Sequence, residues 1–424
     1  MIAWLVAMLF LFGCRSSKLT MTPSIELKKD PHKALSDPFL KTLLKEAAPG
    51  IDSLVWMDEA HAVQIIYTQV DRTASGKPRF TNHYYKVDPA KYFYPASTVK
   101  MPVALLALQK LNQLKVPGLD KHSTMITESA YSGQTPVYND PSAIDGRPTI
   151  AQYIRKIFLV SDNDAFNRLY EFLGQEYINV SLHQMGYDSA QVIHRLDVSM
   201  TEDENRHTNP VKFYDTAARL LWEKPLQQSE LPYQPRHTLM GKGYKKNGQL
   251  VNAPFDFSKK NRFTLVDLHS ILMSVIFPEA VPKKQRFQLS KEDYAFIYKY
   301  ISMKPGESSF PQYDSSFPDA YSKLLLFGGK GKMDPNIRIF NKEGDAYGFL
   351  TDVAYIVDLE KNVEFFLSAT VYCNSDGVFN DDHYDYEETG FPFLKELGKA
   401  LYQYELQRPR KHPAQLDQFK ISYD

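Results

Sequence analysis

The sequence predicts an α/β architecture in which one antiparallel sheet is made from both ends of the chain and a helical part is inserted between them. Three observations predict it. Two runs near the start read as strands, three runs near the end are rich in β-branched and aromatic residues, and the stretch between carries helical periodicity. With 424 residues and 43% apolar content the chain can bury a substantial core. Lys+Arg and Asp+Glu each number 50, so the net charge is zero, which argues against nucleic acid as the main partner. No internal repeat or low-complexity segment stands out.

Taken in order, residues 1–12 form an apolar run too short to span a bilayer comfortably but suited to the hydrophobic region of a secretory signal. It ends Leu11-Phe-Gly-Cys14, which resembles a bacterial lipoprotein cleavage box in which the cysteine is lipidated. Phe12 is bulkier than that pattern prefers, and no Lys or Arg precedes the run. The expectation is a signal peptide over 1–13 and a lipidated tether over 14–37. The chain then touches a membrane only through the Cys14 anchor and sits in a bacterial cell envelope, on the periplasmic or outer-membrane face. Cys373 is left as the one thiol, with no intrachain disulfide.

Pro38 to Ala48 has helical periodicity. His61 to Val70 and Phe80 to Val87 read as strands joined by a turn at Ala74-Ser-Gly-Lys-Pro78. From Val103 to Leu108 the chain is apolar on every side, so the helix holding it is expected to be central and buried. Residues 114–150 are rich in loops. Thr149 to Leu159 is helical, and a helix restarts at about Ala165 and runs to Leu173. Residues 195–210 are polar and loop-like. After a short helix, 211–262 are irregular and read as an insertion whose charges form a solvated face. Phe263 to Phe277 and Leu289 to Ile301 are further helices, and 303–320 is a Pro/Ser-rich loop. Strands follow at Asn336 to Phe340, Ala346 to Val357 and Val363 to Cys373, the last two joined by a tight turn at Asp358 to Asn362. Phe391 to Leu406 closes the chain as an amphipathic helix. The expected units are 38–95 with 331–410 as the α/β part, 96–330 as the helical part, and 411–424 as a tail.

The chemistry gathers at the start of the buried helix. Ser97 and Lys100 stand three positions apart, one turn of a helix, so hydroxyl and amine share a face. A serine hydroxyl needs a neighbouring base, and a lysine serves as one only when its pKa is pulled down by burial or a helix dipole. Pro102 suits the first turn, where its missing N–H leaves no bond unmade. Ser161-Asp162-Asn163 lies between two helices, where such residues also act as N-caps. Lys342-Glu343-Gly344 opens near the end of one late strand and leads into the next.

These three elements, in this order, resemble the S-x-x-K, S-D-N and K-T-G motifs of the serine β-lactamase and penicillin-binding-protein superfamily. The chain looks closest to class A β-lactamase-like serine hydrolases over about residues 55–405. The resemblance implies an α+β sandwich of a five-stranded sheet with flanking helices, plus an all-helical part, with the site between them. It implies that Ser97 is the acylated nucleophile, Lys100 its proton acceptor or relay, and Ser161 the donor toward the leaving nitrogen. Asn163 then bonds the substrate amide, and Lys342 holds Ser161. The backbone N–H groups of Ser97 and Asp345, beside Gly344, form the oxyanion hole, commonly worth about 3–4 kcal/mol of barrier.

Two positions depart from the pattern. Glu343 replaces a hydroxyl residue and would repel an anionic β-lactam unless neutralised or turned away. Arg195-Leu-Asp197 and Thr208-Asn-Pro210 resemble the ends of the family's Ω loop, but Met200 stands where a general-base glutamate is expected. Glu202 is the candidate to activate water in its place. The expected function is opening of β-lactam amides through an acyl-enzyme, without metal or cofactor, by a monomer acting on a small-molecule or peptidoglycan-derived amide. The alternatives are a penicillin-binding or D,D-peptidase-type acyl enzyme and a non-catalytic envelope lipoprotein that retains the fold.

Overall fold

The computed structural model describes residues 34–46 and 53–423. The signal-like run and Cys14 lie outside the described residues. A short helix α1 (Pro38–Glu46) leads to the hairpin β1 (Gln64–Arg72) and β2 (Pro78–Tyr85). The central helix α2 (Lys100–Leu114), strand β3 (Thr124–Thr127) and helices α3 (Ile150–Val160), α4 (Asn163–Leu173) and α5 (Gln175–Gln184) follow. A one-turn helix α6 (Glu202–Arg206) precedes β4 (Val211–Tyr214), β5 (Leu220–Lys224), β6 (Gly243–Lys246) and β7 (Gln249–Val251). Helices α7 (Leu265–Ile276) and α8 (Lys291–Ser302) lead to β8 (Ile337–Ala346), β9 (Phe349–Asp358), β10 (Val363–Tyr372), the short β11 (Val378–Phe379) and the closing helix α9 (Phe391–Gln407).

The main sheet has five strands in the order β8-β9-β10-β1-β2, antiparallel throughout, so the first and last thirds of the chain pair along β1 and β10. Successive side chains of a strand point to opposite faces, and here both faces are covered. Ile66, Val353, Tyr355 and Phe366 join the core shared with α2 and α7. Ile65, Tyr67, Ala354, Phe365 and Leu367 join the core under α1 and α9. Strand β9 is buried along its whole length, which is why it reads as a nearly continuous apolar run.

An ion pair fastens the seam between the chain ends. Arg72 on β1 gives its Nε and Nη2 to the two carboxylate oxygens of Glu364 on β10, at 2.6 and 2.5 Å, and Tyr355 adds a hydroxyl at 2.6 Å. Both charged groups are buried.

Several expectations need correction. The stretch expected to begin 211–262 as a short helix is instead the hairpin β4–β5, which pairs with β3; Val211 and Phe213 point inward and Lys212 and Tyr214 outward. Strand β3 interrupts the expected loops of 114–150, and α5 had no counterpart in the sequence reading. Strand β8 runs six residues past Phe340, carrying Lys342 to Asp345 within it. Residues 411–423 pack onto the core, with Phe419 fully buried beside Phe277, Phe340 and Tyr355. Leu35, within the expected tether, forms a bridge to Val87.

Removing one member of a buried pair leaves the other charge uncompensated. Arg72→Ala is expected to lower the unfolding free energy by about 3–5 kcal/mol in chemical denaturation. A loss under about 1 kcal/mol would show that the seam does not rest on this pair.

Candidate active site

The chain enters the site through a strained turn. Ala96 sits at φ 46°, in the left-handed region that a residue with a β-carbon rarely adopts. Thr98 closes the turn by giving its backbone N–H and its hydroxyl to the carbonyl of Pro95, at 3.0 and 2.6 Å. The 3-10 turn over Ala96–Val99 runs directly into α2. Ser97 is half-buried at its start, and Lys100 is wholly buried one turn on.

Lys100 Nζ lies 2.7 Å from Ser97 Oγ, 2.6 Å from Asn163 Oδ1 and 3.3 Å from Ser161 Oγ, and it also reaches the Ser161 carbonyl. Burial, reinforced by the nearby Lys342 ammonium, pulls the Lys100 pKa down to about 7. The neutral amine fits this shell. Its two N–H groups can go to the Ser161 carbonyl and Asn163 Oδ1, which only accept, while its lone pair takes the Ser97 hydroxyl proton.

Ser161 and Asn163 are placed by a helix junction. Ser161 ends α3 in the left-handed conformation, at φ 60°, and Asp162 caps α4 by accepting the Ala165 N–H at 2.7 Å. Asp162 thus serves the loop, while its two neighbours face Lys100. From the opposite side, Lys342 Nζ donates to Ser161 Oγ at 2.9 Å. The same ammonium donates to the Glu343 carbonyl at 3.0 Å and to Glu343 Oε1 at 2.7 Å. Burial raises the Glu343 carboxyl, but the Lys342 charge and hydrogen bond outweigh it and hold the group below its ordinary value.

Gly344 sets how closely strand and turn approach. A β-carbon built there would lie 2.7 Å from the Ser97 nitrogen, 2.8 Å from the Thr98 nitrogen and 2.8 Å from the Pro95 carbonyl oxygen. The absence of a side chain therefore brings the backbone of β8 against that of the nucleophile turn, with Asp345 the next residue along.

The structure thus brings Ser97, Lys100, Ser161, Asn163 and Lys342 into one hydrogen-bonded group, with Gly344 packed against it. It does not bring Glu202 there. Glu202 is the first residue of α6, and its carboxylate is held by Arg206 at 3.2 Å and Lys259 at 2.6 Å. It lines a cavity of about 200 Å³ with His194, Arg195, Met200, Tyr233 and Lys260, and none of the Ser97 group is in that wall. Glu204 is also occupied, capping the Thr201 N–H at 2.7 Å and accepting from Ser132 at 2.8 Å. Met200 turns its methyl toward Gly133. From this loop it is Asp197 that reaches the group, its Oδ2 lying 3.4 Å from Asn163 Nδ2. Asp197 was read from sequence only as a landmark of the loop. That loop hangs on Arg195, which spans Glu171, the Glu204 and His207 carbonyls and Asn209.

Residues 56–234 match the family model described as the Beta-lactamase enzyme family. Ser97, Lys100, Ser161, Asn163 and Glu202 lie within the matched residues, and Lys342 to Asp345 beyond them. Among curated proteins no sequence matches. The chain is similar to a solved β-lactamase from Sphaerobacter thermophilus at 12% identity, covering 87% of this chain and 98% of that one with a TM-score of 0.46. It is similar to a β-lactamase from Chitinophaga pinensis at 10% identity, covering 87% and 99% with a TM-score of 0.46. It is also similar to PBP-A at 13% identity, covering 88% and 98% with a TM-score of 0.47. The match over residues 56–234 and the Ser97–Lys100 pair agree with serine-hydrolase chemistry.

The Gly344 contact gives a direct test. Gly344→Ala must push β8 away from the Ser97 turn and is expected to slow acylation of Ser97 about 10²–10³-fold, the scale of losing one oxyanion donor, while the protein stays folded by circular dichroism. Acylation within threefold of wild type would show that the strand's approach does not matter.

Proposed function

We propose that the protein opens β-lactam and related amides through a Ser97 acyl-enzyme, in the manner of class A enzymes. The observation that carries this reading is the enclosed Lys100 amine 2.7 Å from the Ser97 hydroxyl, with a pKa brought to about 7. Lys100 takes the Ser97 proton as Oγ attacks the carbonyl carbon. The developing oxyanion is met by the backbone N–H groups of Ser97 and Asp345. Lys100 then passes the proton to Ser161, which delivers it to the departing nitrogen and is held for that step by Lys342. Asn163 is positioned to bond the substrate amide.

With Glu202 and Glu204 engaged elsewhere, water activation falls to Asp197, which touches Asn163 rather than Lys100. This favours an acyl-enzyme that, once formed, is released slowly, a behaviour closer to that of a penicillin-binding enzyme. We further propose an envelope location through lipidation of Cys14.

Intact mass spectrometry over time with a penicillin tests both formation and release of the acyl-enzyme. Wild type is expected to gain one penicillin mass and lose it slowly, and Ser97→Ala and Lys100→Ala are expected to gain none, because residues acting as a unit lose activity together. The acylation rate should rise with pH through about 7 as Lys100 gives up its proton. Normal acylation in Lys100→Ala, or a rate flat across that range, would remove Lys100 as the base.

A further inference from the structure

The lysine that steadies Ser161 has no N–H left for a substrate. An ammonium has three donors, and those of Lys342 go to Ser161 Oγ, the Glu343 carbonyl and Glu343 Oε1. Lys342 is 1% exposed and the Glu343 side chain 8%, so water screens their pairing little. The Glu343 carboxylate therefore stands where an anionic group arriving beside Lys342 would have to stand.

The other lysines near Glu343, Lys100 and Lys323, already have hydrogen-bond partners of their own. Asp345, two residues along the same strand, is exposed. Lys323 gives its Nζ to the Ile301 carbonyl and Asn341 Oδ1. Tyr321, 39% exposed, lies within electrostatic reach of both Glu343 and Asp345. It ends a run of three rings, Tyr313, Phe317 and Tyr321, with centroids 5.1 and 4.8 Å apart. Carboxylates beside exposed aromatic faces suit a neutral or cationic group and oppose an anionic one.

We infer that Glu343 sets the charge of the substrate: the Ser97 site accepts amides that are neutral or positively charged on the side facing β8, and disfavours those with a carboxylate there. This rests on the acyl-enzyme reading above and narrows it. Glu343 acts by occupying Lys342 and by repelling a like charge; it takes no part in bond making.

The test uses the full chain and two probes with the same acyl group, benzylpenicillin and its methyl ester. Second-order acylation of Ser97 is followed by intact mass, each rate being divided by that probe's hydrolysis rate in hydroxide. Wild type is expected to prefer the ester at least tenfold. Glu343→Gln and Glu343→Thr are expected to shift that ratio at least tenfold toward the free acid, chiefly by speeding the acid. Equal normalised rates for the two probes in wild type, which needs no variant, overturn the inference while leaving the acyl-enzyme intact. An unchanged ratio in both folded variants also overturns it. No adduct with either probe on folded wild type overturns the acyl-enzyme reading itself, and the inference falls with it.

Discussion

Holding a lysine amine out of water beside a serine hydroxyl is the constraint to which the rest of the fold answers. An ammonium in the interior is disfavoured unless it is fully paired, and the partners of Lys100 are two hydroxyls and two carbonyl-type oxygens, with no carboxylate in direct contact. A shift from the ordinary lysine value to about 7 corresponds to roughly 5 kcal/mol against the charged form. That cost is sustained because the amine sits at the head of a helix buried on every side, with Val103 to Leu108 anchoring it among α3, α4 and α7.

The sheet supplies the other half of the site. Pairing β1 with β10 brings the end of the chain back beside its beginning, and β8 lies at the far edge of that sheet with its Lys342–Asp345 stretch against the turn before α2. The helix junction at Ser161 completes the ring from the helical part. Three segments distant in sequence are thus held by two rigid contacts, the Gly344 approach and the Lys342–Ser161 bond. Acylation chemistry depends on such fixed donors, because charge that develops in the transition state is stabilised best by dipoles that need not reorganise.

The strands at both ends, the buried helix and the motif residues were legible because their patterns are local: periodicity, β-branched runs, and a hydroxyl and an amine one turn apart. Failures came where a side chain's direction depends on a local bond. Thr201 and Glu204 have the spacing of a capping box, and taken seriously that spacing would have made Glu202 the first helical residue, free to turn outward to Lys259. The alternation in Val211-Lys-Phe213-Tyr likewise signalled a strand. By contrast, nothing in the sequence says that Glu343 folds back onto Lys342, or that Asp197, at φ 55°, comes within reach of Asn163. Those facts exist only after the strand and the loop have met the rest of the chain.

The central claim concerns the state of one amine, and it can be read without any substrate. Lysine Nζ or Cε resonances of isotopically labelled protein, followed by NMR across pH 5 to 11, should show two residues titrating near 7, Lys224 and Lys100, of which only the Lys100 signal disappears in Lys100→Met. If the signal lost in Lys100→Met kept its proton to beyond pH 10, the amine would be charged at neutral pH and could not take the Ser97 proton.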